Sequence, residues 1–224
     1  MAIAYGEKRT IVKAEGTGSA VEAAAGIAIA VLAIIGLSRG TTGSLTSIAT
    51  IILGAAMFVF GATMATEYSK VVEAVGEGAI GASEFGAGIS VEIMTGGTAI
   101  VLGILGLIGV GRAVLIPAAV ITVGAGLILS AGSFQRLNNL RMQVSGLADF
   151  AQALSRAAVT SALTSQVLAG LAAIVLGILA LSVPGSSGSL MQVGLIVLGV
   201  ALAMSGTALT GRVLRLFSPG TPTA

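Results

Sequence analysis

Six stretches of this 224-residue chain are apolar over lengths suited to a lipid bilayer. They are Ala20–Leu37, Leu45–Ala65, Gly97–Val110, Val114–Gly132, Leu168–Ser182 and Leu190–Leu209. A hydrocarbon core about 30 Å thick needs roughly 20 helical residues. The third and fifth stretches reach that length by recruiting residues upstream, from Ile93 and Leu163. Unpaired backbone groups in hydrocarbon cost several kcal/mol each, so irregular structure is excluded there. Transmembrane strands would alternate with period two, and Ile100–Leu107 does not. Only 20 side chains carry charge, 11 basic and 9 acidic. That is 9% of the chain, against about 25% in soluble domains, too few to cover a globule of this size.

The same composition removes most chemistry. There is no His and no Cys, hence no imidazole or thiolate metal site, disulfide or Cys/His nucleophile. With no Trp, two Tyr, six Phe and a net charge of +2, neither base stacking nor phosphate binding is supported, so no nucleic-acid partner is expected. No Walker loop, Gly-x-Ser-x-Gly elbow or carboxylate pair on one spanning face is present, so neither catalysis nor a cofactor nor a metal is expected. The two acidic residues nearest the spans, Glu22 and Glu92, read as lying at helix entrances within reach of headgroups or water. Thr46, Ser47, Thr50, Thr63, Thr122, Ser130, Gln192, Ser205 and Thr207 fall inside spans, where such groups usually hydrogen-bond the preceding turn or a neighbouring helix.

The hairpins are copies of one another. Ala30-Val31-Leu32-Ala33-Ile34-Ile35-Gly36-Leu37 aligns with Ile100-Val101-Leu102-Gly103-Ile104-Leu105-Gly106-Leu107 and with Ile174-Val175-Leu176-Gly177-Ile178-Leu179-Ala180-Leu181, at offsets of 70 and 74. Leu53-Gly54, Val123-Gly124 and Leu198-Gly199 align independently at 70 and 75. Hydrophobicity alone sets no such register. Small residues return within it: Gly36, Gly103, Gly106 and Gly177 on the first helices, and Gly54, Gly61, Gly124, Gly199 and Gly206 on the second. These glycines are expected to form helix-packing faces, within the chain or between copies, because a missing side chain lets backbones approach.

Polar punctuation divides the chain into 1–66 (tail and first hairpin), 67–133 (acidic linker and second hairpin), 134–211 (amphipathic helix and third hairpin) and 212–224 (tail) within one membrane domain. The polar start of the chain and the short gap after the first span make that span half of a hairpin rather than a cleaved leader. Basic residues number nine on the side of the termini and linkers against two in the turns, Arg39 and Arg112. The positive-inside rule then puts both termini in the cytoplasm.

Both linkers carry apolar stripes at helical spacing. Phe134–Leu163, with Arg136, Arg141 and Arg156, suits an interfacial helix on anionic headgroups. Glu67–Met94 contains five glutamates, and a negative surface repels them. Glu73, Glu77 and Glu84 are therefore expected to meet a partner protein or the basic residues Arg136, Arg141 and Arg156 of this chain or another copy.

Glycine-rich tandem hairpins resemble the proteolipid c subunits of rotary ATPases. The equivalent stretches Phe58–Ala62, Ile128–Gly132 and Ala203–Thr207 hold no Asp or Glu, which removes that assignment. The third hairpin, Gly170-Leu171-Ala172-Ala173-Ile174-Val175-Leu176-Gly177-Ile178-Leu179-Ala180-Leu181-Ser182-Val183-Pro184, with Val197-Leu198-Gly199-Val200 and Ser205-Gly206, resembles the repeat of HdeD-type acid-resistance membrane proteins. The resemblance covers the apolar hairpins. The first two hairpins lack the turn proline, and the linkers here are longer than the family's. It implies an inner-membrane protein linked to acid or envelope stress, with no catalytic residues to carry over.

The expected fold is thus all-α: six transmembrane helices in three repeated hairpins, with amphipathic interfacial segments between them. The expected role is non-enzymatic and structural or accessory, with the lipid bilayer, further copies or a larger membrane complex as partners. A channel or transporter for a small neutral solute is the alternative. A continuous cavity lined by Thr50, Thr122, Gln192 and Ser205 would favour it.

Overall fold

In a computed structural model the chain forms six helices: α1 (Ala2–Arg39), α2 (Gly43–Val75), α3 (Ala82–Leu107), α4 (Arg112–Val144), α5 (Asp149–Ser182) and α6 (Ser187–Phe217). The structure describes the backbone of residues 2–40, 43–75, 82–144, 149–183 and 185–217, and the side chains of 20–40, 43–66, 90–131, 164–183 and 185–207. Each helix holds an apolar segment long enough to cross a membrane: Ala20–Arg39, Gly43–Thr66, Ser90–Leu107, Arg112–Ala131, Thr164–Ser182 and Ser187–Thr207. The chain is a multi-span integral membrane protein.

Glycines with positive φ shape the turns. α3 ends in a Schellman motif: Val110 N–H donates to Leu105 O at 3.0 Å and Gly109 N–H to Gly106 O at 3.2 Å, with Gly109 at φ +90°. An L-residue with a side chain would be strained at that angle. Arg112, the first residue of α4, reaches back so that its Nε donates to Gly106 O at 2.7 Å.

The linkers differ from separate interfacial elements. α2 continues past its span to Val75, and α3 starts at Ala82, so most of Glu67–Met94 extends two spanning helices. Likewise Phe134–Leu163 is shared between the end of α4 at Val144 and the start of α5 at Asp149. A helix that ends at the membrane surface leaves four carbonyls without intrahelical partners, and running on keeps them bonded.

The six helices close into a ring. α2, α4 and α6 touch one another at the centre, while α1, α3 and α5 make no close approach to one another among the described residues. The outer helices bury about a third of their spans and α4 and α6 half or more, as this arrangement requires. The most extensive pairings are α6 with α1, α2 with α3 and α4 with α5, so each outer helix leans on the inner helix of the neighbouring repeat more than on its own hairpin partner. The outward positions repeat as well. Val31, Val101 and Val175, and Ile34, Ile104 and Ile178, are all exposed, each set spaced by 70 and 74, and these are the faces a bilayer would cover.

Candidate functional site

Three equivalent crossings hold the ring. A methyl carbon added at Gly54 would stand 2.6 Å from Gly96 O, one at Gly124 2.5 Å from Gly170 O, and one at Gly199 2.7 Å from Gly26 O. Nine in ten real contacts of such a carbon are longer than 3.4 Å. Gly26, Gly96 and Gly170 are the outer-helix partners, and they share the offsets 70 and 74. Their register was readable in the sequence, but their partners were not: Gly26 meets a residue on the last helix. The other small positions also face inward. Gly36 receives the Gln192 amide, Gly61 lies against Ile93, Gly103 against Ile51, Gly106 against Ile116 and Gly177 against Ile121. Gly206 is buried. All nine glycines therefore serve contacts or burial within the chain.

Along the centre the repeats stack in layers. Thr46, Ile116 and Met191 form one layer; Thr50, Val120 and Leu195 the next; then Leu53, Val123 and Leu198; then Met57, Leu127 and Leu202. All twelve are buried. These layers are successive core-facing positions on α2, α4 and α6, three or four residues apart. At the turn end a depression of about 270 Å³ opens between the first turns of the inner helices, lined by Gly43, Arg112, Pro117 and Ser187 and reaching Thr46, Ile116 and Met191. Beyond them the buried layers follow without a gap in the pattern, Thr50 being their one polar member.

Most hydroxyls inside the spans are bonded to their own helix. Thr50 Oγ1 donates to Thr46 O and Thr122 Oγ1 to Ala118 O, each at 2.8 Å. With Thr50, Gln192 and Ser205 buried, these residues do not line an open path among the described residues.

The end nearer the termini is polar. Below Met57, Leu127 and Leu202 come Phe60, Ser130 and Ser205, all buried. Glu22, Glu92 and Gln166 belong to the same level of the outer helices. They occupy one repeat position, spaced by 70 and 74, each four residues before a crossing glycine. Placing Glu22 and Glu92 at water-accessible entrances requires correction: they are 4% and 3% exposed, and Gln166 is 7% exposed. The glycine crossings one turn away draw the outer helices so close that these side chains are enclosed by protein. The Ser205 hydroxyl lies 2.7 Å from Glu22 Oε1 and 3.0 Å from Leu202 O, and its single proton serves one of them at a time. Glu22 Oε2, Glu92 Oε2 and Gln166 Oε1 have no hydrogen-bond partner. Both amide atoms of Gln192 are also buried without partners, against Gly36.

The repeat frame was the signal that could have found this layer. The three polar residues coincide when the hairpins are aligned, but an alignment anchored on apolar residues draws no attention to them. No group of three His, Cys, Asp or Glu able to hold a metal occurs among the described residues. The side chains of Glu73, Glu77, Glu84, Arg136, Arg141 and Arg156 lie outside the described residues, as do the apolar stripes of both linkers. No family model matches this chain, and no curated protein or solved structure matches it.

Proposed function

We propose that this is a non-enzymatic structural or accessory protein of the cytoplasmic (inner) membrane, assembling with copies of itself or with a larger membrane complex. The observation that carries this reading is the closed centre. Four successive layers from three inner helices are buried, and the in-span hydroxyls are largely turned back on their own backbones. A conduit for a neutral solute would need a continuous polar lining that replaces water hydrogen bonds along its length.

The nine-to-two distribution of basic residues supports cytoplasmic termini. On that side the helices run on beyond their spans, giving the chain a surface for partners outside the bilayer. The acidic first linker supports a protein partner over lipid as its contact, since anionic headgroups repel it. A link to acid or envelope stress rests on the resemblance of the third hairpin to the HdeD-type repeat.

Two measurements test the reading. Proteoliposomes containing the purified protein should pass glycerol and urea no faster than empty liposomes. Native mass spectrometry after gentle-detergent extraction should find further copies or partner subunits attached. Solute flux well above the empty-liposome rate, together with a solitary chain, would overturn it.

A further inference from the structure

We propose that the polar layer near the termini, formed by Glu22, Glu92 and Gln166 with Ser205, binds a divalent cation of the Mg²⁺ or Ca²⁺ kind. The layer holds two carboxyls and an amide, each more than nine-tenths buried, and each has one oxygen without a partner. Glu22 and Glu92 lie within electrostatic reach of each other. Symmetry supplies the third group, because Gln166 takes on α5 the position that Glu22 and Glu92 take on α1 and α3.

Among the described residues no positive charge faces these oxygens. The only basic side chains among the described residues are Arg39 and Arg112, at the turn end of the bundle. Arg39 is 17 residues along α1 from Glu22, roughly 25 Å away at a helix's rise. The guanidinium of Arg112 is committed to the carbonyl oxygens of Gly106 and Leu107. Ionised together, the two buried carboxylates would carry −2 in a medium that penalises unpaired charge, and one divalent ion would cancel it.

The donor set selects the kind of ion. Carboxylate, amide and hydroxyl oxygens are hard ligands, with no imidazole or thiolate to favour Zn²⁺ or Cu²⁺. Mg²⁺ commonly uses one or two carboxylates and keeps several waters, so it does not need three acidic side chains on one centre. The layer lies on the termini side of the four central layers, so the approach is from that side. The apolar layer of Met57, Leu127 and Leu202 closes it toward the middle of the membrane. An ion there is held rather than passed, and it joins the first helices of all three repeats. This goes beyond a scaffolding role and does not depend on it.

The test uses the full chain in mild detergent, stripped with chelator and titrated with MgCl₂ or CaCl₂. Bound metal is counted by equilibrium dialysis, and stability is followed by thermal melting. The expected result is about one ion per chain and a melting temperature raised by the divalent salt but not by NaCl at matched ionic strength. Glu22→Gln and Glu92→Gln should each weaken binding by at least about tenfold, because affinity in oxygen sites follows the number of charged ligands. Gln166→Leu should weaken it less. The wild-type titration decides even if a variant fails to fold. No retained ion at millimolar metal would overturn the proposal. So would unchanged binding in the Glu22→Gln/Glu92→Gln double variant, equal stabilisation by Na⁺, or stabilisation by acid alone.

Discussion

Adjacent residues on α3 offer the sharpest test of how the ring is held. At Gly96 an added Cβ would lie 2.6 Å from Phe58 N and 2.7 Å from Gly54 O, whereas at Gly97 it would meet nothing within 4 Å. Gly96→Ala and Gly97→Ala are therefore the same chemical change, one residue apart, in opposite environments. Both gain up to about 1 kcal/mol of helix propensity, so that contribution cancels in the difference between them. What remains is the crossing. Relaxing the contact with Gly54 O from 2.7 to 3.4 Å opens α2 and α3 by about 0.7 Å, using the limit of ordinary contact. A gap of 0.5–1 Å forfeits about a quarter to a half of each dispersion contact along the seam, at roughly 0.1–0.2 kcal/mol per atom pair. Over some twenty to forty pairs the loss is about 1–3 kcal/mol, in the range observed for overpacked cores. The obstructing atoms are backbone and cannot rotate away, so the upper half of that range is expected. Reversible unfolding in mixed micelles should place Gly96→Ala about 2–3 kcal/mol below Gly97→Ala. Gly97→Ala itself should equal or exceed the wild type. Equal stability of the two variants would refute the account of the crossing, and with it the equivalent roles of Gly26 and Gly170.

Gln192→Met should be neutral or stabilising by about 1–3 kcal/mol, because it removes a buried amide with no partner while keeping its volume; a clear loss of stability in the same unfolding assay would mean the amide has a ligand. Arg112→Ala removes the donor to Gly106 O and should cost about 1 kcal/mol, read as faster amide exchange at Gly109 and Val110 with the spans still protected. Charge reversal at Glu73 and Glu77, Glu73→Lys with Glu77→Lys, should weaken self-association or complex formation at low salt and matter less at high salt, since exposed charges are screened beyond about 10 Å at 0.1 M. A complex that survives the reversals at low salt, measured by native mass spectrometry, would remove the acidic linker as the contact.

The spans were legible because bilayer thickness acts locally: an apolar run of sufficient length is a helix whatever its neighbours do. Even the two short runs were recoverable, since α3 and α5 are helical well upstream of Ile93 and Leu163, from Ala82 and Asp149. The polar layer was harder to see. Glu22 and Glu92 lie at the upstream ends of their apolar stretches, where a long side chain on an isolated helix could reach water. Whether it does depends on what packs there, and the glycine crossing four residues on decides that.

The repeat was also local information, carried by the spacing of Leu, Gly and Val along the chain. It implies three like hairpins and says nothing of how they meet. Short turns suggest that α1 packs chiefly on α2, α3 on α4 and α5 on α6. The more extensive pairings join neighbouring repeats instead, and α6 completes the ring against α1. Closure brings Ser205 to Glu22 across 183 positions of sequence and Gly199 onto Gly26. Length and hydrophobicity act along the chain, and they are enough to choose helices and their number. Which glycine meets which backbone, and which carboxyl is enclosed, depends on six helices fitting around one another at once, and that fit exists only when the ring is complete.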